Sequence, residues 1–166
     1  MCNFLSGIVL NNGDVITSEY TDSHYLIAEA AGLKERNIPL DMGWVKVEYT
    51  SNNLLDINTY ELKLDEEDCP YWFDDAMREN VTAKMHRLAQ KCILKEGEIP
   101  ILLGGKWIIG GEIKIQRSVS SLIVLMNGGT LNAMWGGTLN DMWGGTLNAM
   151  RGGTLINDHR KPENKS

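Results

Sequence analysis

Four consecutive eight-residue units fill residues 127–158: Asn127-Gly-Gly-Thr-Leu-Asn-Ala-Met134, Trp135-Gly-Gly-Thr-Leu-Asn-Asp-Met142, Trp143-Gly-Gly-Thr-Leu-Asn-Ala-Met150 and Arg151-Gly-Gly-Thr-Leu-Ile-Asn-Asp158. A fixed period of this kind constrains the fold before any single residue does. Leu131, Leu139, Leu147 and Leu155 recur with Met134, Met142 and Met150 at alternating steps of three and five, which matches neither a helix nor a plain alternating strand. A glycine pair in every unit costs a helix roughly 1 kcal/mol per glycine. In a coil the same pairs reach positive φ at corners and let successive turns approach closely. Short strands joined by glycine corners, with Leu and Met in internal columns and backbone groups bonded from coil to coil, satisfy the pattern. The predicted fold of this part is a β-solenoid, a parallel β-helix of octapeptide repeats.

Four octads alone bury little, so the stretch from Ile101 to Met126 is expected to supply the first coils. It carries Gly-Gly at 104/105 and 110/111 between short apolar strands, and Ile115 and Ile123 stand where the octads have Leu. The number of octads per coil decides which side chains meet. Two per coil sets Trp135 beneath Arg151, a cation–π contact of about 1 kcal/mol, with Trp143 facing the other way. Three per coil aligns Trp135 with other residues. The N-terminal part can cover the first coil, while the other end meets only a polar tail, and an open coil is an edge for pairing.

Residues 1–98 read as a small α+β domain. Phe4 to Leu10 and Val15 to Thr17 flank Asn11-Asn-Gly-Asp14, the signature of a hairpin. Asp22 or Ser23 can cap a short helix with Leu26, Ile27, Ala30 and Ala31 on one face and Gly32 as its stop. Trp44 to Thr50 and Tyr60 to Leu64 alternate as strands. Met77, Val81, Met85, Leu88 and Cys92 mark an amphipathic helix from Phe73 to about Leu94. The expected organisation is thus 1–98 α+β, 99–158 solenoid with octads at 127–158, and 159–166 a disordered polar tail.

Charge narrows the function classes. The net charge is −6, yet residues 1–100 hold 18 acidic and 9 basic side chains, so the excess acid lies in the first domain. Phosphate-driven nucleic-acid binding needs a basic surface and is not expected. No apolar run approaches the roughly 20 residues of a membrane helix, and no basic-plus-apolar leader is visible, so a cytoplasmic protein is expected. Cys2, Cys69 and Cys92 are widely spaced and suit reduced thiols. No metal-ligand spacing and no cofactor motif is present; the octads contain no GxxxxGK[ST] phosphate loop. The acidic run Asp65 to Asp68 lacks the ligand alternation of a calcium loop and reads as solvated. Cys69-Pro-Tyr-Trp-Phe73 reads as an aromatic plug.

Two sets of candidate site residues emerge. Cys2 would become an N-terminal nucleophile if Met1 were removed, and Asp22 and His24 of Thr21-Asp-Ser-His24 could join it in a Cys-His-Asp arrangement, although proximity in sequence is not proximity in space. Ordinary capping by Asp22 or Ser23, followed by a first-turn His, accounts for the same residues. His86 on the polar side of the long helix and His159 in the tail suggest no ligand. The second set, Trp135, Trp143 and Arg151 at octad starts, offers anchors for a partner.

Gly7-Ile-Val-Leu10 with Asn12-Gly-Asp14, Thr21-Asp-Ser-His24, Leu64-Asp-Glu-Glu67 before Pro70-Tyr-Trp-Phe73, and tandem octads ending in Met-Trp or Met-Arg together resemble a group of phage and gut-bacterial proteins with no established activity. The resemblance spans most of the chain. It implies the two-part architecture and a phage source, and it transfers no catalytic residue. The leading expectation is a non-enzymatic interaction protein that uses the solenoid for self-association or for binding a host protein. The alternatives are a small hydrolase or transferase using Cys2, and a small-ligand sponge.

Overall fold

The computed structural model describes residues 5–33, 43–66 and 68–161. The chain divides into two compact units, 1–90 and 91–166. In the first, β1 (Leu5–Leu10) and β2 (Val15–Thr17) form the expected hairpin, with Val9 opposite Val15. Its turn works because Gly13 takes φ +83° and the Asn12 side chain accepts from the Asp14 N–H at 2.9 Å. β3 (Trp44–Thr50) lies antiparallel to β1, and β4 (Glu61–Leu64) antiparallel to β3, giving the sheet order β2-β1-β3-β4.

Strand alternation then assigns two faces. Ile8, Leu10 and Trp44 face α1 (His24–Ala30) and pack on its Ile27 and Ala28. On the opposite face, Tyr49 meets His86 of α2 (Asp75–Cys92), and Met85 comes within 3.6 Å of where a side chain on Gly7 would begin. Val81, Met85 and Ala89 form the buried stripe of α2, within the amphipathic helix expected from spacing. The shorter helix departs from expectation in its facing. Ser23 caps it by accepting from Leu26 N–H, but the buried residues are His24, Ile27 and Ala28, while Leu26 is exposed. The i, i+3, i+4 stripe therefore starts at the histidine, one position set away from the one read from the alanines. The aromatic segment is likewise only partly a plug: Phe73 is buried, Tyr71 is 90% exposed.

The second unit is the solenoid, about four turns over residues 93–158. Its strands are β5 (Ile93–Leu94), β6 (Glu98–Leu103), β7 (Lys106–Ile109), β8 (Lys114–Val119), β9 (Leu122–Leu131), β10 (Met134–Trp135), β11 (Thr138–Leu147) and β12 (Thr154–Asp158). All of their pairings are parallel: β5 with β7, β6 with β8, β7 with β9, β8 with β9 and β10, and β11 with β9 and β12. The first rung, Ile93 on Ile108, falls where the sequence reads as the end of the long helix. That short apolar pair carries no glycine to separate it from a helical pattern.

Most facing residues stand sixteen apart along the chain, as in the Asn132–Gln116 and Asn148–Asn132 side-chain bonds, with register shifts that make Ile109 and Met126 seventeen apart and Ile93 and Ile108 fifteen. Four columns result. Ile99, Ile115, Leu131 and Leu147 stack in one, and Trp107, Ile123, Leu139 and Leu155 in a second. Leu102, Ser118, Met134 and Met150 form a third, and Ile109, Met126, Met142 and Asp158 a fourth. Leu131, Met134, Leu139 and Met142 are fully buried, each worth roughly 1.5–3 kcal/mol of hydrophobic stabilisation.

The corners need glycine for two reasons at once. Gly137 takes φ +82°, and a Cβ on it would run into the Ser121 carbonyl of the preceding coil. Gly145, at φ +78°, stands in the same relation to the Gly128 carbonyl. Backbone closeness and left-handed geometry together exclude a side chain.

The end of the solenoid corrects the reading of the tail. Asp158 occupies the bottom of a Met column, and Arg160 binds it through Nε and Nη2, each at 3.0 Å. This bidentate pair holds the guanidinium, only 6% exposed in its side chain, with a pKa raised by the Asp158 hydrogen bond. His159 also belongs to the coil: its N–H donates to Met142 O at 2.8 Å. A disordered tail beginning at His159 is thus not what forms; the rest of that expectation, 162–166, lies outside the described residues.

Candidate functional site

On the solenoid surface, the three octad-start residues singled out from sequence are all placed. The Arg151 guanidinium lies 5.8 Å from the centre of the Trp135 ring and that of Arg117 lies 5.7 Å from it. Two cations therefore flank a ring that is still 45% exposed. Trp143 is stacked on His159, ring centres 4.1 Å apart and planes 14° from parallel. His159 Nε2 in turn sits 3.0 Å from Asp141 Oδ1, which also accepts from Asn157. The octad count carries a signal for His159 that its place in the polar tail conceals: counting onward from Arg151 lands on it, one coil beyond Trp143.

Beside these stacks runs a polar ladder. Asn148 donates to Asn132 and Asn132 to Gln116, both at 2.7 Å, so each amide fixes the next and the outer wall is held in register. The ladder of strands ends at β12, which pairs with β11 and with no further strand among the described residues. Ile156 on β12 and Met150 just before it are exposed large apolar side chains.

The other set of candidates is arranged differently from the sequence expectation. Cys2 lies outside the described residues. Asp22 precedes the capping Ser23, and the carboxylate found at the His24 ring is that of Asp65, with Nδ1 to Oδ2 at 3.1 Å. His24 Nε2 points to Val47 O at 3.0 Å, and the residue is 7% exposed. A carbonyl oxygen only accepts, so Nε2 carries the hydrogen and Nδ1 is the nitrogen presented to the carboxylate. The ring is thereby fixed by its partners and no longer available as a loosely held base.

Glu48 completes the group: one ligand atom each from His24, Glu48 and Asp65 lie within 4.8 Å of one another. Nothing in the spacing of residues 24, 48 and 65 signals this. β3 and β4 bring Glu48 and the residue after Leu64 to the face that α1 covers, where Asp65 N–H donates to Lys46 O. The acidic run is accordingly more than a solvated loop, since Glu66 also lies 4.0 Å from Lys46 Nζ. His86 has a partner as well: Tyr49 Oη lies 3.1 Å from its Nδ1, and burial pushes the Tyr49 phenol above its ordinary value.

No family model, curated protein or solved structure matches the chain. No described helix is long and apolar enough to cross a membrane.

Proposed function

We propose that the chain is a non-enzymatic interaction protein whose solenoid associates with a second copy of itself through the edge of β12. The observation that carries this reading is the parallel edge at Thr154–Asp158, where β12 pairs with β11 on one side and with no further strand among the described residues on the other. An exposed edge is a template for strand addition. Exposed Ile156 and Met150 supply apolar surface beside it. Two copies related by a two-fold axis would pair β12 with β12 antiparallel, a closed arrangement that uses the same patch on each. The Asp158–Arg160 pair favours a specific register over indefinite stacking, because it closes one column with charge.

A host protein added to the same edge, in a phage setting, is the version that the sequence resemblance suggests. Against catalysis by a Cys2-His24-Asp22 set stands the engagement of both His24 ring nitrogens by Val47 and Asp65. Sedimentation velocity over a wide concentration range tests self-association. A concentration-dependent dimer is expected, reverting to monomer in Ile156→Lys. A wild-type monomer at every concentration contradicts the proposal.

A further inference from the structure

We infer that His24, Glu48 and Asp65 form a binding site for a divalent transition-metal ion of the zinc class. This goes beyond the proposed interaction role and does not depend on it. The donors are one imidazole nitrogen and two carboxylates, a set that suits zinc. They come from the first turn of α1, from β3 and from the residue following β4, whose N–H donates to Lys46 O, so strand pairing and the helix start set their positions.

The tautomer is the first argument. With Nε2–H donated to Val47 O, Nδ1 is the ring nitrogen that faces the Asp65 carboxylate, 3.1 Å away. A nitrogen and a carboxylate oxygen at that distance are bridged by a proton or by a metal ion. A proton serves that pair alone, whereas a metal ion also takes in Glu48, whose oxygen lies within 4.8 Å of both others. A tetrahedral zinc with bonds of about 2.0–2.1 Å would draw the three to about 3.3 Å apart. A metal-binding histidine that donates its second nitrogen to a backbone carbonyl is held in orientation in just this way.

Ser6 supplies an independent indication. It is 2% exposed, and its Oγ is buried without a hydrogen-bond partner among the described residues. The β1–β3 register sets it opposite Glu48, on the same face of the sheet. A buried hydroxyl with no partner is unfavourable by about 1–3 kcal/mol. A water in the fourth position on the ion would give it one. Lys63, opposite Glu48 on β4, and Lys46, beside Glu66, bound the charge around the site. Asp65 is 53% exposed in its side chain, which leaves a route for the ion to enter.

Titration of chelator-stripped full-length protein with zinc chloride tests the site. Because buried His24 also packs α1, the more accessible ligands carry the test, with circular dichroism as the check on folding. Saturable uptake of one zinc per chain is expected, weakened by roughly 10–100-fold or more in Glu48→Gln and in Asp65→Asn and by a smaller factor in Ser6→Ala. His159→Ala, in the solenoid, should bind like the wild type. Cobalt in place of zinc should give the visible absorption of a tetrahedral ion that Asp65→Asn loses. Absence of saturable zinc uptake overturns the site and identifies the Nδ1–Asp65 pair as a protonated ion pair. Wild-type affinity in a folded Glu48→Gln/Asp65→Asn variant overturns it too.

Discussion

The solenoid and the four-stranded sheet use strands to opposite ends. In the solenoid successive coils return the chain to the same place, so from Ile99 onward most residues that meet are sixteen positions apart, as in the side-chain bonds of Asn132, Asn148 and Asn157, and the identity of a contact follows largely from counting. In the sheet, antiparallel strands and a short helix bring Ser6, His24, Glu48 and Asp65 to one face from four places in the sequence. Contacts in the first kind of structure are periodic and redundant; in the second they are singular. Damage should therefore spread differently in the two.

The largest effect is expected from Leu139→Ala. Leu139, itself fully buried, lies between Ile123 and Leu155 in its column, and removing it should cost about 2–5 kcal/mol in urea unfolding of the solenoid. Loss of less than about 1 kcal/mol would show that the columns relax around a gap as a less regular core does. Gly137→Ala comes next, at about 2–3 kcal/mol, since strain from φ +82° is joined by the approach of the Ser121 carbonyl. A neutral result in the same unfolding experiment would mean that coils can separate at this corner.

On the sheet side, Tyr49→Phe removes the bond to His86 and should cost about 1 kcal/mol at neutral pH. The same phenol gives a pH signature. Burial raises its pKa above 10.0, so the unfolded chain ionises first, and wild-type stability falls as pH climbs through and beyond that value. Tyr49→Phe should lose that component of the alkaline decline. Parallel declines of the two proteins above pH 10 would remove the phenol from the account.

How much was legible beforehand divides along the same line. The octads announced parallel coils, internal Leu and Met columns and, for two octads per coil, Trp135 against Arg151, which lies 5.8 Å from its ring. What they concealed is that alternate octads are not equivalent. Asn132 and Asn148 ladder along one wall, whereas the second wall uses Asp141 and Asn157. The structural unit is a coil of about sixteen residues, and His159 reads as tail in the sequence because its octad carries no glycines. Strands and helices of the N-terminal unit were visible from alternation and amphipathic spacing. Its site was not. A first-turn histidine after a serine cap looks solvated until a sheet lies beneath it, and Asp65 looks like one more charge in an acidic loop until β4 delivers it to α1. Burial of His24 comes from tertiary placement, for which local sequence carries no signal.

The sharpest test of the sixteen-residue rule compares two double-mutant cycles on the solenoid surface. Trp135 and Arg151 are in contact at 5.8 Å, while Trp143, only eight positions from Arg151, stacks on His159 instead. Alanine cycles read by urea unfolding should give a coupling of about 0.5–1 kcal/mol for Trp135 with Arg151 and close to none for Trp143 with Arg151. Equal couplings, or a larger one for Trp143 with Arg151, would contradict the coil assignment on which the columns, the ladder and the open edge all rest.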